Sequence, residues 1–155
     1  MGRVLTKTNK IPSAIKDDYW IYVMTEEAKR VEGQNVGKWM LFVPNGKPLD
    51  ELWTLVRDAT LRGELGIAAK VSTARPNPNA ISPENGVVIV YTKNFEDVED
   101  VKRVGYSLLS FVSPPIYYKT DLATITGQYS NRGSFRVSLY GIKKDRTFLT
   151  RGVNW

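Results

Sequence analysis

The strongest constraint on the fold of this chain is a rhythm that occurs twice: two strand-like segments followed by a helical one. Tyr19-Trp20-Ile21-Tyr22-Val23-Met24 opens the first unit, and its aromatic and β-branched content predicts a strand. A charged loop runs from Thr25 to Gly37. Lys38-Trp39-Met40-Leu41-Phe42-Val43 predicts a second strand, closed by Pro44-Asn45-Gly46. Antiparallel pairing of these two strands is the simplest expectation for neighbours in sequence. Pro48 then opens a helix, where its missing N–H costs nothing, and Asp50 and Glu51 suit the positive end. Leu49, Leu52, Trp53, Val56 and Ala59 make its apolar stripe, and Gly63 after Arg62 supplies a left-handed stop.

The second unit repeats the order. Ile67 to Ser72 predicts a strand, and Thr73 to Gly86 a stiff polar loop with Pro76, Pro78 and Pro83. Val87 to Tyr91 predicts a buried strand. Asn94 is the expected cap of a second helix with Glu96, Asp97, Glu99 and Asp100 in its first turns. Its stripe is Val98, Val101, Gly105 or Tyr106, Leu108, Leu109 and Val112, and Ser113-Pro114-Pro115 ends it. Short strands follow at 116–118 and 123–126. Ser134 to Gly141 alternates Phe135, Val137 and Leu139 against Arg136, Ser138 and Tyr140. This order predicts an α+β fold: one curved, mainly antiparallel sheet with two helices on one face and the other face open to a ligand. The expected organisation is a basic flexible arm over 1–18, a single α+β domain over 19–142 and a basic C-terminal tail over 143–155.

Composition narrows the chemistry. The chain has no Cys and no His, which removes disulfides, thiolate metal sites, Cys nucleophiles, Ser–His pairs and imidazole acids or bases. No metal or cofactor is expected; the acidic pairs lie at helix starts or in polar runs, and no Gly-rich phosphate loop is present. No apolar run approaches a membrane span and the N-terminus lacks a signal-peptide core, so a cytoplasmic location is expected. The net charge is +6 and is polarised: residues 1–16 carry Arg3, Lys7, Lys10 and Lys16 without an acid, and residues 116–155 carry seven basic groups against Asp121 and Asp145. Such a distribution points to an anionic partner, against the alternative of a solubility bias.

Three stretches resemble a known family. Gly37-Lys38-Trp39-Met40-Leu41-Phe42, Asp50-Glu51-Leu52-Trp53 and Gly63-Glu64-Leu65-Gly66-Ile67-Ala68-Ala69-Lys70-Val71-Ser72-Thr73 resemble the small family typified by basophilic-leukaemia-expressed protein, as does Val88-Ile89-Val90-Tyr91-Thr92 before an acidic helix start. The likeness spans roughly residues 19–142. It implies a fold similar to the mRNA cap-binding initiation factor, in which two Trp rings sandwich a methylated base. Here Trp20 or Trp39 is placed to supply one ring, while the loop 72–86, where the other is expected, has no aromatic. The family has also been labelled as phosphothreonine lyases, which implies a Lys base and a His acid; this chain has no His.

The candidate site residues follow. Lys70 shares a strand face with the small residues Ala68 and Ser72, so it reads as a phosphate contact, as a base, or as a solvated outer-face lysine. Arg75 lies just beyond that strand, where a guanidinium suits a phosphate. Arg132 and Arg136 flank Gly133-Ser134, and Lys119 neighbours Asp121; each is a candidate phosphate contact or an ordinary surface charge. Trp20, Trp39 and Tyr140 are the stacking candidates, with core packing as their alternative; Tyr117 and Tyr118 are weighed likewise. The leading expectation is a binding module for a phosphorylated ligand, RNA or a nucleotide, on a basic concave sheet face. A lyase-like or other phosphate-handling enzyme with Lys70 as base and an arginine clamp is the alternative. A protein-interaction domain is the third, with a protein partner.

Overall fold

The structure, a computed structural model, describes residues 10–31, 33–78, 83–120 and 138–150. Strands β1 (Trp20–Met24), β2 (Gly37–Pro44), β3 (Ala68–Ser72), β4 (Asn85–Thr92), β5 (Ile116–Thr120), β6 (Tyr140–Ile142) and β7 (Phe148–Thr150) form one antiparallel sheet. Its order is β1-β3-β4-β2-β5-β6-β7. Helices α1 (Lys47–Leu61) and α2 (Val98–Leu108) pack on one face of this curved α+β sheet. The predicted 123–126 strand and the start of the 134–141 strand lie outside the described residues.

The register explains where the core sits. Side chains at paired positions share a sheet face, so Val23, Ala69, Val90, Trp39, Tyr118 and Tyr140 form a continuous row across six strands. All six are buried and belong to the main apolar cluster. Ile21, Val71, Val88 and Leu41 form the row beside it. Helix α1 lays Leu49, Leu52, Trp53, Val56 and Ala59 on these rows, the stripe that its sequence predicts. It stops in a Schellman motif: the Gly63 N–H, at φ 76°, donates to Thr60 O and the Glu64 N–H to Ala59 O.

Three local expectations are corrected. β1 and β2 are not partners: β3 and β4 lie between them, because the chain leaves β2 through α1 and returns along β1. Asp97, not Asn94, caps α2, its carboxylate accepting from the Asp100 N–H, while Asn94 Oδ1 accepts from the Glu96 N–H in the preceding turn. Gly105 rather than Tyr106 faces the core, because a Cβ at 105 would lie 2.5 Å from the Trp39 ring.

The two ends hold more structure than their polarity suggests. Pro12–Ala14 forms a 3-10 turn whose Ser13 N–H and hydroxyl both donate to the Asp50 carboxylate at the start of α1. The carbonyls of Pro12 and Ile15 accept from the Ala74 N–H. In the segment after 142, Phe148–Thr150 forms β7 at the sheet edge, with Phe148 packed on Tyr140 at a centroid distance of 5.4 Å.

Candidate functional site

The face away from the helices carries two further rows. One runs Tyr22, Lys70, Ile89, Met40 and Tyr117; the other runs Met24, Ala68, Tyr91, Lys38 and Lys119. The sequence predicts an open face, yet Ile89, Lys38 and Lys119 are only 4%, 6% and 7% exposed. The opening is therefore confined to the β1–β3 side of the sheet.

There a groove of about 410 Å³ lies between β1, β3 and the loop that joins β1 to β2. Trp20, Tyr22, Lys70 and Tyr91 line one part; Ala28, Val31, Val36 and Ile67 line the rest. Lys70 is central. Its Nζ lies 4.1 Å from the centre of the Trp20 ring and 6.0 Å from that of Tyr91, and its strand partner Tyr22 stands 47% exposed. The small residues Ala68 and Ser72 on either side leave room for these rings. Alternation along β3 is as the sequence predicts, with Ala69 and Val71 buried and the other three residues half-buried. The groove's described lining holds one ammonium and no carboxylate. An ammonium among aromatic rings, beside an apolar wall, suits a planar ligand that carries an anionic group.

Lys38 and Lys119 are paired across β2 and β5. Burial, and then the neighbouring Lys38 ammonium, hold the Lys119 pKa down to about 8. Lys119 therefore contributes to a ligand through its field rather than by reaching solvent. Its folded pKa lies below the unfolded value of 10.5, so the cost of the buried charge is present in full below pH 8 and fades as pH rises to 10.5. Lys119→Met is accordingly expected to raise stability at pH 7 by about 2 kcal/mol, with the gap to the parent closing by about pH 10.5. Urea unfolding of both proteins across that range checks this; a gap that does not change with pH contradicts it.

The other candidates are distributed as follows. Arg75 lines a second cavity of about 400 Å³, formed with Pro12, Ser13, Asn45 and Thr73. Its guanidinium donates to Asp17 O at 2.9 Å and lies 4.1 Å from the Tyr19 ring centre, so Lys70 and Arg75 line separate cavities. Arg132 and Arg136 lie outside the described residues. Trp39 is not available for stacking: it is fully buried, donates from Nε1 to Val101 O at 3.0 Å, and meets Tyr118 edge-on. Tyr140 is buried too, with its hydroxyl donating to Phe95 O at 2.8 Å. Both stand in the helix-facing row, which strand pairing fixes and local alternation does not. Trp20 stands on the opposite face, under Lys70. Sequence reasoning misses Tyr22 and Tyr91. Tyr22 was reachable, since it shares its strand parity with Trp20; the uniformly apolar β4 gives no such sign for Tyr91.

Solved structures share this fold. Ascaris suum eIF4E-3 with an m2,2,7G cap matches at 19% identity and a TM-score of 0.54, over 73% of this chain and 69% of that one. C. elegans eIF4E-3, in complex with the 4E-binding protein Mextli and a cap analog, matches at 17% identity and a TM-score of 0.57, over 76% and 72%. Schistosome eIF4E complexed with m7GpppA and 4E-BP matches at 15% identity and a TM-score of 0.61, over 81% and 70%. At these identities the likeness is one of fold. The family model described as "Basophilic leukemia-expressed protein Bles03" matches residues 21–126, from β1 past β5 and through both helices. More than half of the chain is thereby covered, and the chain belongs to the Bles03 family.

Proposed function

We propose that this chain is a binding module that takes a nucleotide, free or within an RNA strand, in the Trp20–Tyr22–Lys70–Tyr91 groove. The observation that carries this reading is the Lys70 ammonium set among three aromatic side chains beside an apolar wall. A base lies against the exposed Tyr22 ring, and its phosphate is drawn to Lys70. Stacking of a base on an aromatic ring is worth about 1–3 kcal/mol and tolerates any base. Lys38 and Lys119 add positive potential from within the sheet, and the excess of basic side chains draws in a polyanion. The cap and cap analogs held by the three eIF4E neighbours support the nucleotide class. Phosphate elimination by a Lys70 base would need a cationic clamp beside it, and Arg75 is turned instead to Asp17 and Tyr19.

Titration of GTP, ATP and a short single-stranded RNA, followed by tryptophan fluorescence at about 50 and 200 mM salt, tests the proposal. RNA affinity is expected to fall with salt by about 0.7 log units per log unit of salt for each phosphate contact. Tyr22→Ala is expected to weaken binding by about tenfold. Failure of all three ligands to bind at low salt overturns the reading, as does binding that ignores both Tyr22→Ala and Lys70→Met.

A further inference from the structure

We propose that the groove discriminates by charge on the base: it takes a neutral base and rejects a cationic one, so that N7-methylation of guanine weakens binding. This rests on the groove being the nucleotide site. The face of an indole ring is its most negative surface and attracts a cation lying within about 6 Å of its centre. On Trp20 that place is filled from within the chain by Lys70 Nζ, 4.1 Å from the ring centre. An N7-methylated guanine carries a delocalised positive charge and is held on aromatic rings for that reason. To stack on Trp20 it would have to displace Lys70. To stack elsewhere in the groove, on Tyr22 or Tyr91, it would bring its charge beside the same ammonium, since Tyr22 is the direct strand partner of Lys70 and Tyr91 lies diagonally from it.

Nothing in the described lining offsets that repulsion, because the groove shows no carboxylate there. Like charges this close in a partly desolvated site repel strongly. A neutral base with a triphosphate meets the opposite situation: its rings find the same aromatic surfaces, and its anionic end is attracted to Lys70. The resident lysine thus serves at once as the anion contact and as the filter on base charge. The separation of Lys70 from its neighbours by Ala68 and Ser72 keeps both roles on one side chain.

The test compares three probes on the intact chain: GTP, N7-methyl-GTP, and 7-methyl-7-deaza-GTP, which keeps the methyl group but carries no base charge. GTP and the deaza analogue are expected to bind alike, and N7-methyl-GTP about tenfold more weakly. Lys70→Arg should preserve that ratio, while Lys70→Met should bring it to one or invert it, even as all affinities fall. Tighter binding of N7-methyl-GTP than of GTP by the parent protein overturns the proposal and leaves the groove standing as a nucleotide site. Rejection of the deaza analogue as strongly as of N7-methyl-GTP overturns it as well, because size rather than charge is then being read. A ratio unchanged in Lys70→Met places the filter elsewhere and overturns it too. If none of the probes binds, the nucleotide reading of the groove falls, and this proposal with it.

Discussion

Trp39→Ala is expected to remove about 4–5 kcal/mol of folding stability, a large share of the 5–15 kcal/mol that a domain of this size holds. Trp39 is fully buried at the centre of the helix-facing row. Its ring meets Tyr118 edge-on at 5.3 Å and lies so close to α2 that no side chain fits at Gly105. Truncation leaves a cavity walled by helix backbone and by fully buried side chains, which have little freedom to collapse into it. The Nε1 bond to Val101 O is lost as well, although that helix carbonyl is within reach of a backbone donor one turn on and loses only part of its satisfaction. Trp39→Phe keeps most of the ring and should cost about 1–2 kcal/mol. Urea unfolding followed by far-UV circular dichroism measures both. The Phe variant should also bind nucleotide as the parent does, since the ring faces the helices and not the groove. A stable Trp39→Ala protein with impaired binding would reverse the assignment and place this ring at the ligand.

The fold was legible where local signals and burial agree. On α1 the spacing of Leu49, Leu52, Trp53, Val56 and Ala59, the proline at its start and Gly63 at its end all point to the same helix, and that helix forms. On β3 the contrast of Ala69 and Val71 with Lys70 and Ser72 identifies the buried face. On β2 it fails, because Trp39 and Leu41 alternate with Met40 and Phe42, and both faces look apolar. The structure shows Phe42 to be 52% exposed while Trp39 is fully buried. Only the register with β4 and β5 settles which face turns inward, and that register is a long-range property. The same holds for strand order. The wrong β1–β2 pairing follows from adjacency in sequence, whereas the observed order depends on how α1 returns the chain to β3. Lys70 was identified as a site residue from its small neighbours, but its aromatic surroundings come from three strands and were only partly visible. Trp20 was in view as a stacking residue; its position under an ammonium was not.

Gly66→Ala is expected to cost about 3 kcal/mol and to weaken ligand binding with it, although the change adds a single methyl group far from any charged side chain of the groove. Gly66 precedes β3 in the turn after α1, where its neighbour Ile67 donates from its N–H to Tyr91 O at 3.0 Å. A Cβ at this position would overlap the Tyr91 carbonyl oxygen and lie 2.9 Å from its carbon. Both atoms are backbone, so no rotamer change relieves the clash. The turn is held on its other side as well: the Arg103 guanidinium donates to Glu64 O and Leu65 O, and Ile67 O accepts from the Thr25 N–H and hydroxyl. Relief must come from separating the start of β3 from the end of β4, which breaks the Ile67–Tyr91 bond and disturbs the Ala68–Tyr91 pairing. Ile67 and Tyr91 both line the groove, so the displacement widens it at the aromatic end. Gly33→Ala is the control, because it lies on the same groove but a Cβ there meets open space; its stability should stay within about 0.5 kcal/mol of the parent. Chemical unfolding, with nucleotide titration at a temperature where both variants are folded, separates the two effects. If Gly66→Ala unfolds together with Gly33→Ala, the turn yields more easily than its hydrogen bonds allow. If it is destabilised but binds as the parent does, the groove does not depend on how β3 enters the sheet.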